Sequence, residues 1–157
     1  MSLWPLLLSA ALAAGAASPA KPEKPAIRSR AEWKAELPAR MATDKVKRRF
    51  VIHHTAYPVT EKVRKLRGKA GWEAAMRHAR EAQRLHRHIR GWNDVGYHYL
   101  IDWEGRVLEG RPLDRLGAHV ERHNTGSVGI VLMGDFSRQK PTAKQLASLK
   151  RLLRWLS

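Results

Sequence analysis

Two adjacent histidines, His53 and His54, close a run of strand-forming residues, Arg49-Phe50-Val51-Ile52. Side chains alternate across a strand, so the pair points to opposite faces and only one of them can look into a given site. A histidine at the C-terminal end of a buried strand can ligate a metal or move a proton near neutral pH. It can equally be a half-buried, hydrogen-bonded histidine, and these two residues alone do not choose between the readings. The chain has no cysteine. Disulfides and thiolate ligands are therefore excluded, and any metal site must be built from His, Asp or Glu.

The surrounding sequence predicts the strands and helices that hold these histidines. Phe50, Val51 and Ile52 are apolar on both alternating faces, which predicts a strand covered on both sides in the middle of an α/β sheet. Pro58 stops it. A helix follows, weakened early by Gly68 and Gly71. Trp72, Ala75, Met76, Ala79, Ala82, Gln83, His86 and Ile89 recur at steps of three or four and predict its buried face. His86 lies on that face and reads as a core histidine, whereas His78 and His88 fall off it. Tyr97 to Ile101 predicts a strand, Asp102 to Gly105 a hairpin turn, and Arg106 to Gly110 the returning strand. A polar loop, 111–125, carries His119 and Asn124. The glycines of the next strand, Ser127 to Gly134, predict close approach of another group. The last helix opens with a capping box, Thr142 and Gln145, and shows Leu146, Leu149, Leu152, Leu153 and Leu156 as its apolar face. Near the start, Ser29-Arg30-Ala31-Glu32 also fits a capping box. It predicts a short helix with Trp33 and Leu37 one turn apart, ended by Pro38.

The 157 residues suit one domain. Net charge is +16, a field that draws polyanions. Six tryptophans and 43% hydrophobic residues exclude a disordered basic tail. Leu3 to Ala17 is apolar and Ala-rich, with small residues after it, the pattern of a secretory signal peptide. The run is shorter than the about 20 residues of a membrane span. The expected organisation is a signal peptide over 1–20, a Lys/Pro linker over 21–28 and a folded domain over 29–157. It places the protein in the periplasm or outside the cell, with no stable membrane span after cleavage.

Several blocks then arrive in order: Arg30-Ala31-Glu32-Trp33, Val51-Ile52-His53-His54-Thr55-Ala56, Arg90-Gly91-Trp92-Asn93-Asp94-Val95-Gly96-Tyr97-His98-Tyr99, Glu109-Gly110-Arg111, Gly117-Ala118-His119 and Asn124-Thr125-Gly126-Ser127-Val128-Gly129-Ile130. From Ser29 to Leu156 the chain resembles the peptidoglycan recognition proteins and the zinc-dependent N-acetylmuramoyl-L-alanine amidases. The resemblance implies an α/β fold with a mixed central sheet flanked by helices. It implies zinc as cofactor, His53 as the first zinc ligand and His54 as a structural residue. Tyr97 matches the tyrosine that assists catalysis. His119 and Asn124 match positions along the groove for the glycan–peptide stem, and Trp92 and Arg111 match groove or scaffold positions. The implied partners are peptidoglycan or muropeptides, with the positive charge read as attraction to anionic wall polymers. No nucleic-acid signature accompanies that charge. The implied reaction is hydrolysis of the amide between the lactyl group and L-alanine; the alternative is a peptidoglycan-binding module without chemistry. The family's other two ligands, a histidine in a Gly-His-Arg-like strand and a cysteine or aspartate in a loop, follow the last helix and have no counterpart in this sequence. The expected domain is thus a C-terminally incomplete one, missing its last strand and loop, with a sheet edge and a helix face left bare.

Overall fold

The computed structural model describes residues 22–157. The expected signal peptide over 1–20 lies outside the described residues. Five strands form one sheet in the order β1-β4-β3-β5-β2, with β1 at Ile27–Arg28, β2 at Arg49–His54, β3 at Tyr99–Ile101, β4 at Val107–Glu109 and β5 at Ser127–Leu132. β3 and β4 form the antiparallel hairpin, and the other neighbours are parallel, so the sheet is mixed. Gly105 takes φ +80 in the hairpin turn, as the sequence predicts. β1 falls inside the stretch expected to be linker, so the chain enters the sheet two residues before Ser29.

The period-two rule sorts the two cores. Leu100, Leu108 and Val131 face the helix α2 (Gly68–Arg84) and pack with Ala74, Ala75, Ala79 and Trp33. Tyr99, Ile101, Val107, Val128, Ile130 and Leu132 face α3 (Ala143–Leu156) and pack with Leu152. Helices therefore cover both faces, as expected. A one-turn helix, α1 (Glu61–Arg64), precedes α2, and a π-helical turn, Leu85–Ile89, extends it.

Four local expectations need correction. β2 lies at an edge of the sheet, not in its middle: Phe50 is 37% exposed and Ile52 42% exposed. The segment from Ser29 is a turn rather than a helix. Ser29 and Glu32 do exchange the capping bonds, with Glu32 Oε2 accepting from the Ser29 amide at 2.7 Å, but Lys34 enters left-handed backbone at φ 57 and ends the turn. Trp33 is consequently buried while Leu37 is 86% exposed. On α2 the buried set is Gly71, Ala74, Ala75, His78, Ala79 and Gln83, so the inward face is rotated toward the small residues and takes His78 with it. Ile89 is exposed. On α3 the capping box forms as predicted, but Leu146 is exposed and Gln145 and Ser148 are buried in its stead. Gln145 Nε2 donates to the Ile101 and Met133 carbonyls at 3.2 and 3.0 Å, which satisfies the buried amide.

Candidate functional site

β2 and β5 run in parallel with His53 opposite Val131 and His54 opposite Leu132. Val131 faces α2 and Leu132 faces α3, so the two histidines separate as alternation requires. His54 belongs to the α3 side. Its Nδ1 accepts from the Phe136 amide at 2.9 Å, and its ring stacks on Phe136 at 5.8 Å. His53 is on the α2 side, at the C-terminal end of the strand. Its Nε2 lies 3.1 Å from His119 Nδ1, and its ring centroid is 5.4 Å from that of Tyr97. Three residues from three segments, 44 and 22 positions apart in the chain, thus meet at one end of the sheet.

His119 reaches His53 because of a glycine and an asparagine. A Cβ on Gly129 would sit 2.4 Å from His119 Cδ2, so only glycine leaves the ring this place over β5. Asn124 Oδ1 accepts from the His119 and Val120 amides at 2.8 and 2.9 Å and fixes the loop that carries the ring. The close approach predicted from the glycines of this strand is that of a side chain. His119 Nε2 faces Ser127 Oγ at 3.3 Å. Burial, with the neighbouring His53 and His98, lowers the His119 pKa from 6.5 to about 3. Burial also lowers that of His53, with His54 adding to the effect. Both rings are neutral near pH 7, so one donates and the other accepts across the 3.1 Å contact. Burial raises the Tyr97 pKa above 10.0, and the phenol stays protonated, a hydrogen-bond donor rather than a base.

Beside Tyr97 is a cavity of about 150 Å³ lined by Thr55, Tyr57, His78, Leu85, His86 and Tyr97 among others. His78 Nε2 meets Thr55 Oγ1 at 2.9 Å, and Thr55 Oγ1 accepts from the Gly134 amide at 2.9 Å. The sequence pattern missed His78. The signal available was the run of small residues, Gly71, Ala74, Ala75 and Ala79, which lets α2 approach the sheet on a broader face than its large apolar residues mark. His86 is buried as expected, and its Nδ1 accepts from the Gly96 amide at 2.9 Å. Trp92 lies on His86 at 4.6 Å. Arg111 is buried and donates to main-chain carbonyls, from Nε to Val95 at 2.7 Å and from Nη1 to Leu116 at 2.6 Å. With Trp92 it lines a separate groove of about 320 Å³. His53, Tyr97 and His119 therefore come together directly, Asn124 supports them, and Trp92 and Arg111 stand one layer away.

A structural or catalytic zinc ion takes at least three protein ligands at about 2.0–2.3 Å. Here two imidazole nitrogens face each other at hydrogen-bonding distance, and among the described residues no group of three His, Cys, Asp or Glu side chains converges. The described donor set does not by itself fit the metal.

Against this geometry, a family model described as N-acetylmuramoyl-L-alanine amidase matches residues 43–157. The chain belongs to that family. It is 33% identical over 126 residues to peptidoglycan-recognition protein LB of Drosophila melanogaster, covering 80% of this chain and 51% of that protein. It is 30% identical over 129 residues to the N-acetylmuramoyl-L-alanine amidase of Sus scrofa, covering 80% of this chain and 20% of that one. The chain thus spans about half of one curated relative and a fifth of the other. A solved variant of Drosophila peptidoglycan recognition protein LB, in complex with tracheal cytotoxin, superposes with a TM-score of 0.70 at 32% identity, over 81% of this chain and 71% of that one. The mixed sheet flanked by helices is the fold of this amidase family. No helix among the described residues is long and apolar enough to cross a membrane.

Proposed function

We propose that this amidase-family chain holds the glycan–peptide stem of peptidoglycan at the His53–Tyr97–His119 end of the sheet. The observation that carries the reading is the convergence of two neutral imidazoles and a protonated phenol, of which Tyr97 also lines a small cavity. Such groups can donate and accept hydrogen bonds to the amides of a stem peptide without carrying charge into a partly desolvated site. The relative solved with tracheal cytotoxin supports a muropeptide as ligand. The surplus of cations adds long-range attraction to anionic wall polymers, and wall binding should weaken as salt rises. Residues 1–20 would direct export. Edman sequencing of the secreted protein should then begin near residue 18 or 21 (after Ala17 or Ala20), and a start at Met1 would remove that part of the reading.

A second reading, favoured by the family match, is hydrolysis of the lactyl–L-alanine amide with zinc on His53. It needs donors beyond those that the described residues bring together. Tyr97 would serve either reading as a donor to a substrate oxygen. Sedimentation with purified sacculi, together with detection of newly freed L-alanine amino groups, separates the two. Binding without release is the expected result. Release that stops with a chelator selects the hydrolase, and absence of both binding and release contradicts the proposal.

A further inference from the structure

We propose that a groove along α2, next to the cavity that Tyr97 lines, binds a sugar strand. The inference rests on the function proposed above and adds to it: the strand is the glycan that carries the stem peptide. The groove lies between the loop after β2 and the outer side of α2 and has a volume of about 720 Å³, within the range of ligand sites. It shares Tyr57, His78 and Glu81 with the cavity that Tyr97 lines. The two spaces are neighbours, so a ligand held at Tyr97 can extend along the helix.

Tyr57 is 56% exposed and yet held from one side. Its ring packs on His78 at 5.3 Å, and His78 packs on the buried Trp103 at 6.3 Å. His78 is itself tied to the loop, with Nε2 at 2.9 Å from Thr55 Oγ1. Between Thr55 and Tyr57, Ala56 takes left-handed backbone at φ 53. Residues with a side chain avoid that region, and such strain collects at sites that present a group to a ligand. A ring placed before the ligand arrives lowers the ordering cost of binding.

The lining chooses among ligand classes. Val59, Ala74 and Trp103 give the groove a buried apolar floor. The charged groups of its wall are paired. Glu81 accepts from Arg84 Nε at 2.9 Å and Nη2 at 2.7 Å, and Glu36 accepts from Arg87 Nη1 at 2.6 Å. Arg77 adds an exposed guanidinium. Paired charges do not select an anion; they offer donors and acceptors at fixed places. Sugar hydroxyls both donate and accept and so suit such a wall. The C–H face of a sugar ring is slightly positive and suits the negative face of the Tyr57 ring. A polyanion would meet two carboxylates, and a lipid chain would leave the polar wall without partners.

The test is a ¹⁵N NMR titration of the full chain with a linear N-acetylglucosamine tetramer, which carries no peptide. Saturable shifts should appear at the amides of Tyr57, Arg77 and Glu81. Tyr57→Ala should weaken binding about tenfold, the scale of one aromatic contact. Arg77→Gln should weaken it about threefold, the scale of one hydrogen bond. Both residues are exposed, so both variants should keep the native spectrum. Absence of saturable shifts, or an affinity unchanged in Tyr57→Ala, would overturn the proposal. So would the same shifts produced by the free stem tripeptide, which would make the groove a peptide site. Because the tetramer has no stem, its failure is distinct from a failure at His53, Tyr97 and His119, which a muramyl tripeptide reports.

Discussion

His98 and His119 lie 5.9 Å apart, ring to ring, and are both desolvated, yet they differ in what their nitrogens do. His98 Nδ1 accepts from the Gly129 amide at 3.0 Å, and Nε2 donates to the Arg115 carbonyl at 2.9 Å. Both nitrogens are spent on main chain, and the Arg115 carbonyl accepts from Lys47 Nζ at 3.0 Å as well. His119 instead presents one nitrogen to His53 and the other to a serine hydroxyl. Burial lowers the pKa of both, so a depressed pKa does not distinguish scaffold from site. The partner does: a histidine bound to backbone on both sides cannot turn to a ligand, and one facing another side chain can.

Burial lowers His78, His86 and His98 from 6.5 to about 4. Between these values the unfolded chain takes up protons that the folded chain refuses. Stability is therefore full above about pH 6.5 and falls as pH drops toward 4, by on the order of 3 kcal/mol for each such group. Urea midpoints measured from pH 7.5 to 4.5 should fall steadily; a flat profile would mean that these rings are not held neutral by burial. Next, His98→Leu strands the Gly129 amide, while the Arg115 carbonyl keeps Lys47, and should cost about 2 kcal/mol. His53→Ala, at an edge strand, should cost about 1 kcal/mol or less by the same assay. Equal losses would erase the distinction between the two kinds of histidine.

Gly129→Ala places a methyl group in the space of the His119 ring and should cost about 1–3 kcal/mol. It should also weaken binding to sacculi, because His119 must leave His53; retained binding would show that the pairing is incidental. Tyr97→Phe, like His53→Ala, should cost about 1 kcal/mol or less, since the ring and its packing remain. If the hydroxyl donates to the ligand, affinity for sacculi should drop while the unfolding midpoint barely moves.

How much of this was legible in the sequence depended on the range of the interaction. The strand pattern from Arg49 to His54 and the capping box at Thr142 are local, and both appear where periodicity and spacing put them. The opposite orientation of His53 and His54 follows from alternation alone. The edge position of β2 was not readable from Phe50 and Ile52, because apolar residues also occur on exposed strand faces and only pairing reveals the edge. Leu37 and Leu146 misled for a related reason. Each fits a helical period, but a left-handed Lys34 and a buried Gln145 changed which side faces inward. The site joins residues far apart in the chain. Its glycine at 129 signalled a close approach, but the identity of the visitor, His119, came only from the fold.

The most direct test is calorimetric titration of a soluble muramyl tripeptide into the chain in the presence of a chelator. Saturable one-to-one binding is expected, lost in both His53→Ala and His119→Ala, with both variants still folded. Binding that persists undiminished in the two variants would contradict the placement of the stem at the His53–Tyr97–His119 end.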